Sequence, residues 1–309
     1  LTNFYLGVNN LRVRNSICST YYKSQYGLLY HSNKVYFLGA YQSRYTDLYE
    51  LNTSTGACKK IESFGRTATY GRMLVSNNIL IFPNYQNKIF LKDTNSNSKK
   101  HCSTSGDLLR SLQNSKYNNR IPAAIDASGN LVIKSYEGGK VIFRKFTLSG
   151  STACPTMTAN ATYTFNNEYD LRYSEVIEAH PSNANIFYLL NRNSHRILKY
   201  TFNSTTSYTQ NASVGRRGST SASYAPTSAS QVLFYYPGDF RIDTALNRIF
   251  VADTENSAIQ SFDLDLDFHD MSGYSTRSTR MAGAHEAIKA LVTDSSLLSS
   301  VNFGFGYWS

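Results

Sequence analysis

Apolar residues in this chain fall in short alternating runs separated by polar turns, a pattern of strands rather than helices. The clearest unit is 235–262, YYPGDFRIDTALNRIFVADTENSAIQSF. Pro237-Gly238 opens it and DFRID alternates as a short strand. Ala245-Leu246-Asn247 make a polar turn, and RIFVAD follows as a second strand with Ile249 and Val251 on one face. Residues 254–257 turn the chain again, and AIQSFDL reads as a third strand. Three short strands joined by tight turns cannot bury an apolar face alone, so the unit needs copies of itself.

Weaker copies recur. Residues 33–51 read NKVYFLGAYQSRYTDLYEL, 78–92 NILIFPNYQNKIFLK, 130–146 NLVIKSYEGGKVIFRKF and 185–200 NIFYLLNRNSHRILKY. Each has a turn Asn, an apolar strand, a polar turn and a second strand. Matching positions Tyr36, Leu80, Val132, Phe187 and Phe250 lie roughly 45 to 65 residues apart, the range of propeller blades with variable loops. No long amphipathic helix interrupts them; 284–300 reads as a short helical insert. The first residues, 3–17 (NFYLGVNNLRVRNSI), look like the later strands of a unit, and 301–309 (VNFGFGYWS) like a first strand lacking the rest. Joined, they make a sixth unit and remove the exposed sheet edges of an open array. The fold predicted is all-β: a six-bladed β-propeller, one domain over 1–309, with the closing blade shared between the N- and C-termini. A β-sandwich or a solenoid is the rival arrangement. A chain that opens partway through a blade reads as a processed product.

The segment ALNRIFVADTENSAIQSFD resembles the core of an NHL repeat, in which a strand ending Val-Ala-Asp precedes Thr-x-Asn and an Ile-centred strand. The lead-ins match too: Gly283 with Ala287 and Leu291 before Phe303, and Gly215 and Gly218 before Phe234 and Pro237. The match is close in the fifth unit, fair in the fourth and at the N-terminus, and poor in the second and third. The resemblance implies a six-bladed ring. It also implies two functional precedents: lyases with a histidine-bound metal at the channel mouth, and propellers that grip RNA on a basic face.

Composition narrows the choice of partner. The net charge of +10 favours acidic ligands: anionic glycans, nucleic acid or a negatively charged envelope polymer. Tyr (24) and Phe (17) exceed what the strands need, so some rings are expected on the surface. No run is apolar and long enough to span a membrane. Cys58, Cys102 and Cys154 each follow a polar turn after a third strand, and Cys18 ends the N-terminal partial unit. An even number of cysteines beside outer strands points to an oxidising compartment and up to two disulfides among Cys18, Cys58, Cys102 and Cys154, with three connectivities open. The expected location is extracellular, cell-surface or periplasmic. There is no Cys-x-x-Cys.

In a propeller, the loops before each first strand and between second and third strands open on one face around the channel, the default binding surface. Here those loops carry Tyr and Arg repeatedly. Before first strands stand Tyr70 and Arg72, Tyr117 and Arg120, Arg172 and Tyr173, and Tyr235 and Tyr236; the second set adds Arg44, Tyr85, Arg192 and His195. Flat rings stack on sugar faces or bases, and guanidinium forks pair with carboxylate, sulfate or phosphate. Such residues are predicted to bind ligand. A metal-dependent lyase would need several His in the loops before first strands, and none is there. No catalytic residue, metal ligand or cofactor is assigned. These features point to a non-enzymatic binding or adhesion propeller for a glycan, an anionic surface polymer or a protein partner. The alternatives are a metal-dependent lyase or hydrolase and an RNA-binding NHL propeller.

Overall fold

The computed structural model describes residues 23–41, 45–63, 72–84, 88–95, 102–104, 122–150, 155–218, 226 and 228–272. They form five four-stranded antiparallel sheets, each built from consecutive strands. Blade 1 is β1 (Lys23–His31), β2 (Lys34–Tyr41), β3 (Tyr45–Asn52) and β4 (Cys58–Ser63). Blade 2 is β5 (Leu74–Ser76), β6 (Ile79–Asn84), β7 (Lys88–Asp93) and β8 (Cys102–Thr104). Blade 3 is β9 (Ala123–Ile125), β10 (Leu131–Glu137), β11 (Lys140–Ser149) and β12 (Thr156–Asn166). A helical turn, α1 (Tyr169–Tyr173), precedes blade 4: β13 (Val176–Ala179), β14 (Ile186–Asn191), β15 (Arg196–Phe202) and β16 (Tyr208–Val214). Blade 5 is β17 (Asp239–Asp243), β18 (Arg248–Asp253), β19 (Ala258–Asp263) and β20 (Phe268–Ser272).

Tight turns set the registers. Ser32-Asn33 and Asn77-Asn78 have left-handed φ at both positions, as do Gly138-Gly139 between β10 and β11. That is the backbone of the two-residue hairpin whose twist matches its strands. Between blades the core is a series of face-to-face contacts. Leu29, Tyr36 and Leu48 of blade 1 meet Leu80, Phe82 and Phe90 of blade 2. Ile79 and Ile81 meet Leu131 and Phe146; Val132 and Phe143 meet Phe187, Leu198 and Tyr200; Tyr188 and Leu190 meet Ile249, Val251 and Phe262. The second strands of blades 1 to 4 are therefore apolar on both faces. β14 shows it best, with Phe187 and Leu189 against blade 3 and Tyr188 and Leu190 against blade 5.

This double burial corrects the alignment of Tyr36, Leu80, Val132, Phe187 and Phe250. Leu80 and Phe187 face the preceding blade, while Tyr36 and Val132 face the following one. A one-residue slip in a strand exchanges its faces. The positions that do repeat lie on third strands. Tyr49, Phe90, Phe146, Tyr200 and Phe262 are all buried, opposite Phe37, Phe82, Leu131, Phe187 and Ile249. In four blades a register shift in the pairing with the outermost strand falls at this aromatic residue. A bulge at that point adds twist where the sheet must splay outward. Outermost strands are polar: β12 and β16 expose most of their Thr, Asn and Gln side chains, which discourages pairing with other edges.

Innermost strands sit side by side, β5 with β9, β9 with β13 and β13 with β17. Arg72, just before β5, reaches Ile177 O of β13 and Phe240 O of β17, so the row of blades curls back on itself around a centre. The arrangement is a β-propeller. The predicted count of six is corrected to five among the described residues, because the sixth blade was a composite of 3–17 and 301–309, which lie outside them, as does the predicted helix at 284–300. Cys58, buried at the start of β4, is disulfide-bonded. Cys102 lies on β8, and Cys18 and Cys154 fall outside the described residues. No helix among the described residues is long and apolar enough to cross a membrane.

Candidate ligand-binding face

Loops before the first strands of blades 4 and 5, and between second and third strands of blades 3, 4 and 5, meet at one end of the propeller. The first cluster surrounds Arg172 in α1. Its guanidinium lies 4.3 Å from the ring centroid of Tyr136, in the β10–β11 hairpin, and 4.9 Å from that of Tyr173. Tyr169, more than half exposed, packs against Tyr173 with ring centroids 4.7 Å apart. Cation–π contacts at exposed sites are worth about 0.5–1 kcal/mol each, so this sandwich orients the fork more than it stabilises the fold. On the Tyr136 hairpin, Arg144 grips Glu137 with two bonds of 2.5 and 2.9 Å.

α1 is too short to hold itself. Lys134 of β10 supports it, its Nζ donating to Arg172 O at 3.0 Å and to Ser174 O at 2.6 Å. Asn191 Nδ2 adds a bond of 2.8 Å to Asp170 Oδ1. Burial pulls the Lys134 ammonium down to about 7, against the raising influence of Glu175.

The second cluster joins blades 4 and 5. His195 sits in the β14–β15 loop with a left-handed φ of 56°. Its ring stacks on Tyr235 at 6.1 Å and meets Tyr236 edge-on at 4.8 Å. The Tyr236 N–H donates to His195 Nδ1 at 3.1 Å, which makes Nδ1 an acceptor and leaves Nε2 to carry the proton. Burial first, and then the Arg217 and Arg192 charges, hold the imidazole below its ordinary pKa, so it is neutral at pH 7. Arg192 lies 5.6 Å from the Tyr236 ring and Arg217 5.9 Å from the Tyr235 ring. Arg217 is placed by a bridge to Phe234, whose N–H donates to Arg216 O and whose carbonyl accepts from Gly218. Gly215 makes the approach possible: its φ is 99°, and a Cβ there would lie 2.3 Å from the Phe234 ring and 2.7 Å from His195 O.

Beneath the tyrosines lies a fully buried carboxylate. Asp253, at the end of β18, accepts from Tyr235 N (2.8 Å), Asn256 Nδ2 (2.6 Å) and Gln260 Nε2 (3.0 Å). Burial raises its pKa to about 7, with the three donors pulling the other way. Asn256 and Gln260 also donate to Gly218 O and Leu233 O, so one carboxylate ties the loop ahead of blade 5 to that blade's own turn.

Arg72 is placed differently from the prediction. It is part-buried among the innermost strands, paired with Glu178 Oε1 at 2.8 Å and Asp239 Oδ1 at 3.2 Å and bonded to Ile177 O and Phe240 O. Arg241 joins Glu178 from the other side at 3.1 Å. Burial, and then Arg72, pull the Arg241 guanidinium down to about 10. Arg72 thus closes the centre and is already fully engaged. Of the other predicted ligand residues, Arg172 and Tyr173 come together in the first cluster, and Arg192, His195, Tyr235 and Tyr236 in the second. Tyr70, Tyr117, Arg120, Arg44 and Tyr85 lie outside the described residues. Lys134, Glu178, Arg241 and Arg217 escaped the sequence reading. The first three left one signal, a charged residue inside an otherwise strand-like stretch; Arg217 left none. Among the described residues no group of three His, Cys, Asp or Glu is placed to hold a metal ion.

Fold and face together define a β-propeller with an aromatic and arginine-rich mouth. A family model for the NHL repeat matches residues 234–262, which hold Asp253 and its three donors. The chain is a β-propeller that carries an NHL repeat at 234–262. No curated protein matches its sequence. Among solved structures it resembles an auxiliary nutrient binding protein from Bacteroides thetaiotaomicron, at 16% identity and a TM-score of 0.51, over 81% of this chain and 57% of that one. A protein from Lactobacillus plantarum is similar at 12% identity and a TM-score of 0.52, over 81% and 70%. An auxiliary nutrient binding protein from Bacteroides ovatus is similar at 11% identity and a TM-score of 0.50, over 80% and 57%. The chain spans little more than half the length of the two nutrient binding proteins, and likeness at this identity concerns the fold alone.

Proposed function

We propose that this protein is a non-enzymatic binding propeller, exported or held at the cell surface, that retains a saccharide on the face formed by blades 3 to 5. The whole chain, 1–309, is taken as one propeller domain. The observation that carries this reading is the Arg172 guanidinium held between Tyr136 and Tyr173, with Tyr169 exposed beside them. Among the described residues no carboxylate pairs with Arg172, so its fork is free to meet a ligand while its neighbours offer ring faces. The disulfide at Cys58 supports an oxidising compartment, where surface polysaccharides are met and intracellular RNA is not. Nutrient binding proteins among the structural neighbours are consistent with a binding role for this shape.

A glycan array probed with the full chain, followed by calorimetry on the best hits, tests the reading. Saccharide binding is expected, weakened by Tyr136→Ala and by Arg172→Gln with little change in melting temperature. Retention of a protein partner or single-stranded RNA with no saccharide on the array would overturn it.

A further inference from the structure

Two cations at the blade 4–blade 5 seam stand without counter-charge among the described residues. Arg72, Arg144 and Arg241 all pair with carboxylates. Arg192 and Arg217 pair with none among the described residues, although both lie close enough to His195 to depress its pKa. Arg192 Nε is buried without a hydrogen-bond partner, and so is Ser194 Oγ two residues along the same loop. Buried polar atoms left unpaired are rare in folded proteins and mark places where something is missing. The acids nearby are accounted for: Asp253 is saturated by three donors and Asp170 receives Asn191, while Glu255 is exposed with its backbone N–H on Tyr235 O.

Around these cations the surface is a corner. The rings of Tyr235 and Tyr236 stand 5.1 Å apart at 67°, with Arg217 against one and Arg192 against the other. A flat base stacks best on one platform or between two parallel ones. A pyranose ring presents C–H faces and equatorial hydroxyls in different directions, which suits two rings set at an angle. His195 Nε2 offers a donor that adds no charge.

We infer that this seam is an acidic-sugar subsite. A pyranose ring lies in the corner of Tyr235 and Tyr236, and its anionic substituent is forked by Arg192 and Arg217. The inference rests on the saccharide reading above and narrows it to sugars bearing a carboxylate or a sulfate.

Calorimetry on the full chain with four probes tests it: an oligogalacturonate, a sulfated galactan oligosaccharide, a neutral galactan oligosaccharide of the same length, and single-stranded RNA. At least one acidic sugar is expected to bind roughly tenfold or more tighter than the neutral one, the scale of one charge-assisted hydrogen bond. Arg217→Gln and Arg192→Gln should each remove most of that preference, weakening the acidic sugar more than the neutral one. Arg217 is exposed, so its variant is not expected to unfold and stays informative if Arg192→Gln is destabilised. Arg248→Gln, an equal charge loss at the opposite end of blade 5, should change nothing. Neutral and acidic sugars bound equally would sink the subsite and leave the binding reading standing. An Arg248→Gln loss as large as that of Arg217→Gln would also sink it, since diffuse charge would then explain the preference. Binding of RNA with no sugar bound would remove both.

Discussion

Tyr236 donates its backbone N–H to Nδ1 of His195, a residue 41 positions earlier and one blade away, at 3.1 Å. The bond joins the β14–β15 loop to the lead-in of β17 and fixes the tautomer of the imidazole. Replacing His195 by Ala leaves a part-buried donor unpaired, at a cost of about 1–3 kcal/mol. The folded imidazole is held below its unfolded pKa, so between those values the unfolded chain binds more protons. Stability is therefore full above pH 6.5 and falls as pH drops through that region. His195→Asn tolerates the left-handed backbone and has no such titration. Urea melts near pH 7 and near pH 5 should show a larger acid loss in the wild type than in the Asn variant; equal losses would contradict the assignment.

Asp253 works in the opposite direction. Its carboxyl is raised from 3.8 to about 7 in the folded chain, so the folded state binds more protons between those values. Its contribution to stability falls as pH rises from about 4 to 7 and is flat beyond. Asp253→Asn should flatten this slope. Asp253→Ala strands three donors, Tyr235 N–H, Asn256 and Gln260, and should lose about 3 kcal/mol or more. Denaturation midpoints across pH 4 to 8 would show a persistent slope in the Asn variant if the carboxyl is not its source.

Glu178 holds two guanidinium groups at the centre of the ring. Removing one partner of a buried ion cluster leaves uncompensated charge, and such losses run to about 3–5 kcal/mol. Glu178→Gln should therefore lower the melting temperature severely. Arg72→Ala should also destabilise, through the loss of Asp239 and two carbonyl contacts, rather than act on ligand affinity alone. Unchanged melting in Arg72→Ala would return that arginine to the list of ligand contacts.

Lys134 holds its proton to 10.5 in the unfolded chain and to about 7 when folded. Across that window the unfolded state binds more protons, so the group's contribution to stability rises with pH from about 7 to 10. Lys134→Met should abolish the rise. It should also free Arg172 O and Ser174 O, so amide exchange in α1 speeds up and binding through Arg172 weakens. Unaltered exchange at α1 would mean that other contacts hold the turn.

Gly215→Ala should unfold the seam between blades 4 and 5. It combines a φ of 99° with a Cβ only 2.3 Å from Phe234 and 2.7 Å from His195 O. Loss of melting temperature well beyond that of a surface glycine such as Gly56, which has nothing within 4 Å, is the expected comparison.

Much of the strand pattern was readable along the chain. DFRID and RIFVAD are β17 and β18 to the residue, and Asn-Asn and Gly-Gly appear at hairpin turns as their backbone freedom demands. Local alternation and turn chemistry act over a few residues, so they leave a local trace. The shared register did not: with both faces of the second strands in blades 1 to 4 lined by packed apolar residues, alternation no longer marks a face there, and the repeating aromatics at 49, 90, 146, 200 and 262 stayed hidden.

The sequence by itself determined an all-β chain of repeated antiparallel units and the residues of its NHL repeat. It also showed Arg and Tyr recurring in the segments between predicted strands. Only the tertiary structure decided which of those arginines were spent. Arg72 and Arg172 occupy similar places before a first strand, yet one is locked by Glu178 and Asp239 while the other lies open between two rings. The physical reason is distance: partners 105 to 168 positions away, brought to hydrogen-bond reach by the closing of the blades, leave no mark on neighbouring residues.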